Sequence, residues 1–138
     1  MKPEQVALVK DTWAQVAPIA EQAAELFYGK LFELNPEYRA LFKGDMKSQG
    51  KMLMSMLNTA VVSLDKLDTI VSAVQSLGER HVGYGVVEAD YAVVGEALLW
   101  TLEQGLGDAY TPEVQEAWTI TYTTLSSVMI DASKAAVA

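Results

Sequence analysis

Apolar residues recur at steps of three and four along almost the whole chain, the spacing of one helical face. Val6, Val9, Trp13 and Val16 share such a face, and Ala23, Leu26, Phe27, Leu31 and Leu34 form the next, with Pro18 marking the boundary between them. Asn35-Pro36-Glu37 reads as a cap, a first-turn proline and an acid at the positive end of a short helix running to about Phe42. Lys43-Gly44-Asp45 breaks it. A further helix is expected from Met46 to about Leu64, with Gln49, Leu53, Met56, Leu57 and Ala60 on one face. Another, from about Leu67 to Val82, brings Val74, Leu77 and His81 together and ends at Gly83-Tyr84-Gly85. The rhythm resumes from about Ala89 to Gly105 through Tyr91, Val94, Leu98 and Leu102. Gly105 and Gly107 bracket the next break, and Thr111-Pro112-Glu113 repeats the cap–proline–acid start. The last helix runs through Trp118, Tyr122, Leu125 and Met129, with a frayed tail from Lys134. No strand, repeat or linker interrupts the series. The pattern predicts an all-α single domain over residues 1–138, built from six or seven helices of unequal length.

Composition narrows the function. The chain is long enough to bury a core unaided, and it contains no cysteine, which excludes disulfides, thiol catalysis and cysteine-ligated metals. A net charge of −8 with no basic stripe disfavours nucleic acid and anionic membranes as partners. No apolar run is long enough to span a bilayer, and the N-terminus lacks a signal-peptide core, so a cytoplasmic location is expected.

One residue stands out. His81 is the only histidine, near the end of a helix and one turn after Leu77, with Gly83, Gly85 and the apolar Val86-Val87 following. By itself such a residue is open between a packed core histidine and a ligand. Its setting suits a flat apolar cofactor that needs greasy walls and one strong axial donor, which describes haem. Tyr28 and Gln49 are likewise open between half-buried structural residues and a pair of donors aimed into one pocket. As donors they would stabilise negative charge developing on a small bound ligand.

In its full order the chain resembles the globin family, in particular single-domain bacterial haemoglobins and the neuroglobin-like and flavohaemoglobin-like branches. Asn35-Pro36 with Phe42, then Leu77-Gly78-Glu79-Arg80-His81 with Gly85-Val86, carry the resemblance. So do Tyr91 to Leu99, Leu106-Gly107, Thr111-Pro112-Glu113 and Ala117-Trp118 with Tyr122. The resemblance implies a globin fold, a three-over-three helical sandwich with a short C helix and a shortened or disordered D region. It also implies haem b with His81 as the proximal iron ligand. Phe42 matches the aromatic that packs on haem; Leu53, Leu77, Val86, Tyr91, Val94 and Leu98 match haem-lining positions. Tyr28 and Gln49 match the distal residues. Ser133 falls where flavohaemoglobin-like proteins carry a glutamate that, with a tyrosine matched by Tyr91, orients the proximal histidine.

The leading expectation is reversible binding or transport of dioxygen, with carbon monoxide and nitric oxide as other diatomic ligands, by a monomer or weak dimer. A nitric oxide dioxygenase would need a separate reductase, since no flavin or nicotinamide domain is read in this chain; weak peroxidase activity is a lesser variant. A haem-free sensor module is the third possibility, and His81 argues against it.

Overall fold

The computed structural model describes residues 2–41, 45–83 and 88–137, and these form helices joined by short turns. Helix α1 spans Pro3–Val16, with proline in the first turn where its missing N–H costs nothing. A 3-10 turn, Ala17–Ile19, carries Pro18 and leads into α2, Ala20–Leu34. Asn35 then accepts the Glu37 N–H on its side chain at 3.1 Å, and a 3-10 helix follows over Pro36–Leu41. Helix α3, Met46–Val62, is capped by Asp45, whose carboxylate accepts the Lys47 N–H at 3.1 Å. Helix α4 spans Val71–Gly83 and α5 Glu88–Leu106. Gly107, at φ +55°, turns the chain in the left-handed region that suits glycine. Thr111 caps α6, Pro112–Val137, through an N–H···O bond from Val114 at 3.2 Å.

Three expectations change. The helix expected from Leu67 begins only at Val71, because a separate 3-10 segment occupies Leu64–Thr69 with a non-helical Lys66. Buried Leu64 and an Asp65–Lys10 ion pair at 3.0 Å hold that segment against α1. On α3 the stripe turned into the core is Gly50, Met54 and Val61. The face of Gln49, Leu53, Met56, Leu57 and Ala60 is only partly covered, and Met56 is 38% exposed. Glycine explains the rotation: α3 lies against α2 where a Cβ on Gly50 would come within 2.9 Å of the Ala24 Cβ. The tail from Lys134 continues as helix to Val137. Phe42 and Val86 lie outside the described residues.

The helices pack in two layers of three, α2, α5 and α6 against α1, α3 and α4, with α4 packed on α6 and α3 on α2. This is the three-over-three sandwich. Trp13 and Trp118 meet at its centre, ring centroids 6.1 Å apart. The Trp118 indole N–H donates to Thr12 Oγ1 at 2.9 Å, and the Thr12 hydroxyl donates to the Leu8 carbonyl at 2.7 Å. The Trp118 indole and the Thr12 hydroxyl therefore both have partners, which avoids the cost of an unmade bond. Among the described residues no helix is long and apolar enough to cross a membrane.

Glycines decide two of these contacts in opposite senses. A Cβ on Gly78 would sit 2.7 Å from the Cα of Met129, so α4 and α6 touch backbone to backbone. A Cβ on Gly29, in the middle of α2, would meet nothing within 4 Å. Gly78→Ala is expected to lower stability by about 2 kcal/mol or more, since a backbone cannot step aside. Gly29→Ala should raise it by up to about 1 kcal/mol. Urea unfolding followed by helical circular dichroism checks both.

Candidate functional site

His81 sits in the last turn of α4. Its Nδ1 lies 2.6 Å from the Leu77 carbonyl oxygen one turn back. A carbonyl can only accept, so Nδ1 carries the proton and donates it. Burial depresses the imidazole pKa below its ordinary value, more than the Leu77 carbonyl raises it, and the neighbouring Arg80 charge adds to the depression. The ring is thus neutral at physiological pH, with the lone pair on Nε2. A neutral imidazole oriented through its other nitrogen is the form that ligates a metal.

Tyr91, near the start of α5, lies beside it, with ring centroids 6.4 Å apart and planes inclined by 31°. Two features hold Tyr91 in place. Its carbonyl accepts the Tyr122 hydroxyl from α6 at 2.6 Å. The Tyr122 ring in turn lies flat on α5 because residue 95 is glycine: a Cβ there would come within 2.7 Å of Tyr122 Cε2. The Tyr91 hydroxyl is buried and has no hydrogen-bond partner among the described residues. Burial raises its pKa, with a further push from the Asp90 carboxylate. An orphaned hydroxyl beside a neutral histidine is costly in an apolar interior, and it marks a place suited to a group with acceptor atoms.

Ser133 does not supply that acceptor. Its hydroxyl donates to Ile130 O at 2.7 Å, back onto its own helix. Leu98 is buried, while Leu77 and Val94 are half-buried. Leu98 belongs to the central core and Val94 packs against it, while Leu77 and Tyr91 are the residues that lie against His81.

The second group of candidates lies on α2 and α3. Tyr28 is buried, edge-on to Phe27 at 5.0 Å and stacked with Phe32 at 6.0 Å between centroids. The side chain of Gln49 comes close enough to the Tyr28 hydroxyl to lower its pKa. Burial pushes the phenol pKa up to about 12, against the smaller lowering by Gln49, so Tyr28 is a neutral donor rather than a phenolate. Leu53, one turn after Gln49, is half-buried. Helix α3 therefore has two apolar faces, one spent on α2 and α1. The other carries Gln49, Leu53 and the exposed Met52 and Met56, and α3 makes at most marginal contact with α4. A flat apolar group held between the two helices fits that arrangement.

Sequence reading missed the supports. Tyr38 donates to the Asp90 carboxylate at 2.6 Å, tying the 3-10 helix Pro36–Leu41 to α5 next to Tyr91. Gly78, Gly95 and Tyr122 set the positions of α4 and Tyr91. Isolated glycines within helical patterns were the available signal for the first two.

Comparison with known proteins gives a consistent answer. The Globin family model matches residues 25–129. A neuroglobin of Danio rerio is 32% identical over 88% of this chain and 86% of its own length. A flavohemoprotein of Vibrio cholerae is 28% identical over 93% of this chain, but the chain spans only 33% of that protein. Among solved structures, a bacterial globin from Campylobacter jejuni superposes with a TM-score of 0.84 at 25% identity, covering 97% of both chains. In sequence, helix order and fold, this chain belongs to the globin family of haem-based ligand binders.

Proposed function

We propose that this chain binds haem b through His81 and reversibly binds dioxygen, or another diatomic molecule such as carbon monoxide or nitric oxide. Haem, when bound, supplies an iron with a coordination position for such a ligand. The observation that carries the reading is the bond from His81 Nδ1 to the Leu77 carbonyl oxygen at 2.6 Å, which orients the ring and leaves Nε2 as the ligating atom. A carbonyl partner leaves the imidazole less electron-donating than a carboxylate partner would. That favours holding a ligand over cleaving a peroxide, and Ser133, turned back to Ile130, supplies no such carboxylate.

Leu53, Leu77, Val94 and Leu98, with Phe42 and Val86, exclude water from the macrocycle. Tyr91 offers its unpartnered hydroxyl on the His81 side. Tyr28 and Gln49, side by side, are the donors that hold a polarised ligand. Their proximity places both near the ligand before it arrives, so little reorganisation is needed. We place the protein in the cytoplasm as a monomer or weak dimer.

The likeness to flavohemoproteins supports a second reading, oxidation of nitric oxide to nitrate by dioxygen with the electron returned by a separate reductase. Sustained nitric oxide consumption with a generic reductase would favour it, and a stall after one turnover would turn it down.

Three results are expected. Absorption spectra should show a Soret band in the wild type that is lost or shifted to an unligated form in His81→Ala. Tyr28→Phe and Gln49→Leu should each speed dioxygen dissociation by about tenfold, the worth of one hydrogen bond of roughly 1.4 kcal/mol; stopped-flow displacement by carbon monoxide measures it. Tyr91→Phe should stabilise the apoprotein by about 1 kcal/mol by removing a buried unpaired hydroxyl, without a matching gain in the haem-loaded protein, as read by parallel urea melts.

A further inference from the structure

Helices α2 and α3 do not close completely along their seam. A cleft of about 560 Å³ runs between them, open to solvent and reaching Tyr28. Its walls are small or flexible where the helices approach most closely: Ala20 and Ala24 on α2, Gly50 and Met54 on α3. None of these four carries a side-chain hydrogen-bond donor; Glu25 and Lys51 also line the cleft. Glu21 and Lys47 face one another across the rim, 3.7 Å apart and with side chains 71% and 66% exposed. Such a pair is loosely held and adds little to stability, and side chains this exposed move in picoseconds to nanoseconds.

We propose that this cleft is the entry and exit route for the diatomic ligand. The proposal rests on the haem reading above and adds the path by which a ligand reaches it. Tyr28 joins the two: it lines the cleft, and its hydroxyl lies within the influence of the Gln49 side chain. The lining selects by charge. The mostly apolar lining costs a neutral diatomic little desolvation, whereas an anion would have only the exposed Lys47 and Lys51 and the Tyr28 hydroxyl to replace its hydration. Gly50 keeps the passage low and Met54 makes its wall yielding, since methionine changes rotamer easily. The Glu21–Lys47 pair cancels its own charge at the mouth, so ions are neither drawn in nor held there.

A route has a kinetic signature that a change in the binding site lacks. Narrowing it raises one barrier for entry and exit alike, so association and dissociation slow by the same factor and affinity is unchanged. Two plugs from different positions, Ala20→Trp and Glu25→Trp, narrow the cleft without touching the Ala24–Gly50 contact or the Tyr28–Gln49 pair. In the haem-loaded protein each is expected to slow carbon monoxide association and dissociation together, by roughly fivefold, equivalent to about 1 kcal/mol of added barrier. Flash photolysis and ligand exchange measure the two rates. Xenon provides a readout that needs no haem chemistry: in methyl-labelled wild-type protein, xenon pressure should shift the Ala20, Ala24 and Met54 methyl resonances, and the plugs should abolish the shifts. Unchanged rates in both plugged proteins, a change of affinity in place of matched rates, or methyls silent to xenon would each overturn the route. A wild-type protein that forms no carbon monoxide complex at all would instead strike the haem reading, and the route with it.

Discussion

The backbone contact between α4 and α6 is the constraint on which the rest of the site depends. Gly78 lets α4 lie directly on Met129, and that contact fixes the rotation of α4 about its own axis. Successive helical residues turn by about 100°, so once Gly78 faces α6, Leu77 and His81 must share the flank of α4 beside that contact, with His81 about 60° and Leu77 about 100° round from Gly78. The imidazole is then oriented by a bond within its own helix, to the Leu77 carbonyl. A larger residue at position 78 would lift or roll α4, and the histidine would turn with it.

The Tyr28–Gln49 pair depends on a second close approach, of α3 on α2 at Gly50 and Ala24. That crossing brings Gln49 to the Tyr28 hydroxyl. It also spends one apolar face of α3 on the core and leaves the Gln49–Leu53 face for other use. The two halves of the site are therefore built alike: a glycine permits a tight helix contact, and the neighbouring residues take their orientation from it. Tyr91 is a variation on the same device, set by Gly95 through the Tyr122 ring.

This explains what could be read from the chain and what could not. The helix order, the breaks at Pro18 and Gly107 and the start at Pro112 rest on local spacing and backbone chemistry, and each stands where the pattern puts it. His81 beside Leu77, and Tyr28 paired with Gln49, were likewise open to a reading of residues. The rotation of α3 was not, because a search for large apolar side chains passes over Gly50. The late start of α4 was hidden for a related reason. Leu64 and Asp65 are held by distant partners, the core and Lys10, and no local rhythm reports a tertiary anchor. The Tyr38–Asp90 bond, between residues 52 positions apart, belongs to the same class.

The indole of Trp118 and the hydroxyl of Thr12 are separated by 106 positions in the chain yet share one buried bond. That bond cannot form before residue 118 has been made, whereas Trp13 can meet its other partner, Asn58 on α3, much earlier. Non-local closure of this kind slows the search for the native state. It leaves the rest of the greasy N-terminal segment in need of temporary shelter, either by collapse of the intervening helices or by a chaperone.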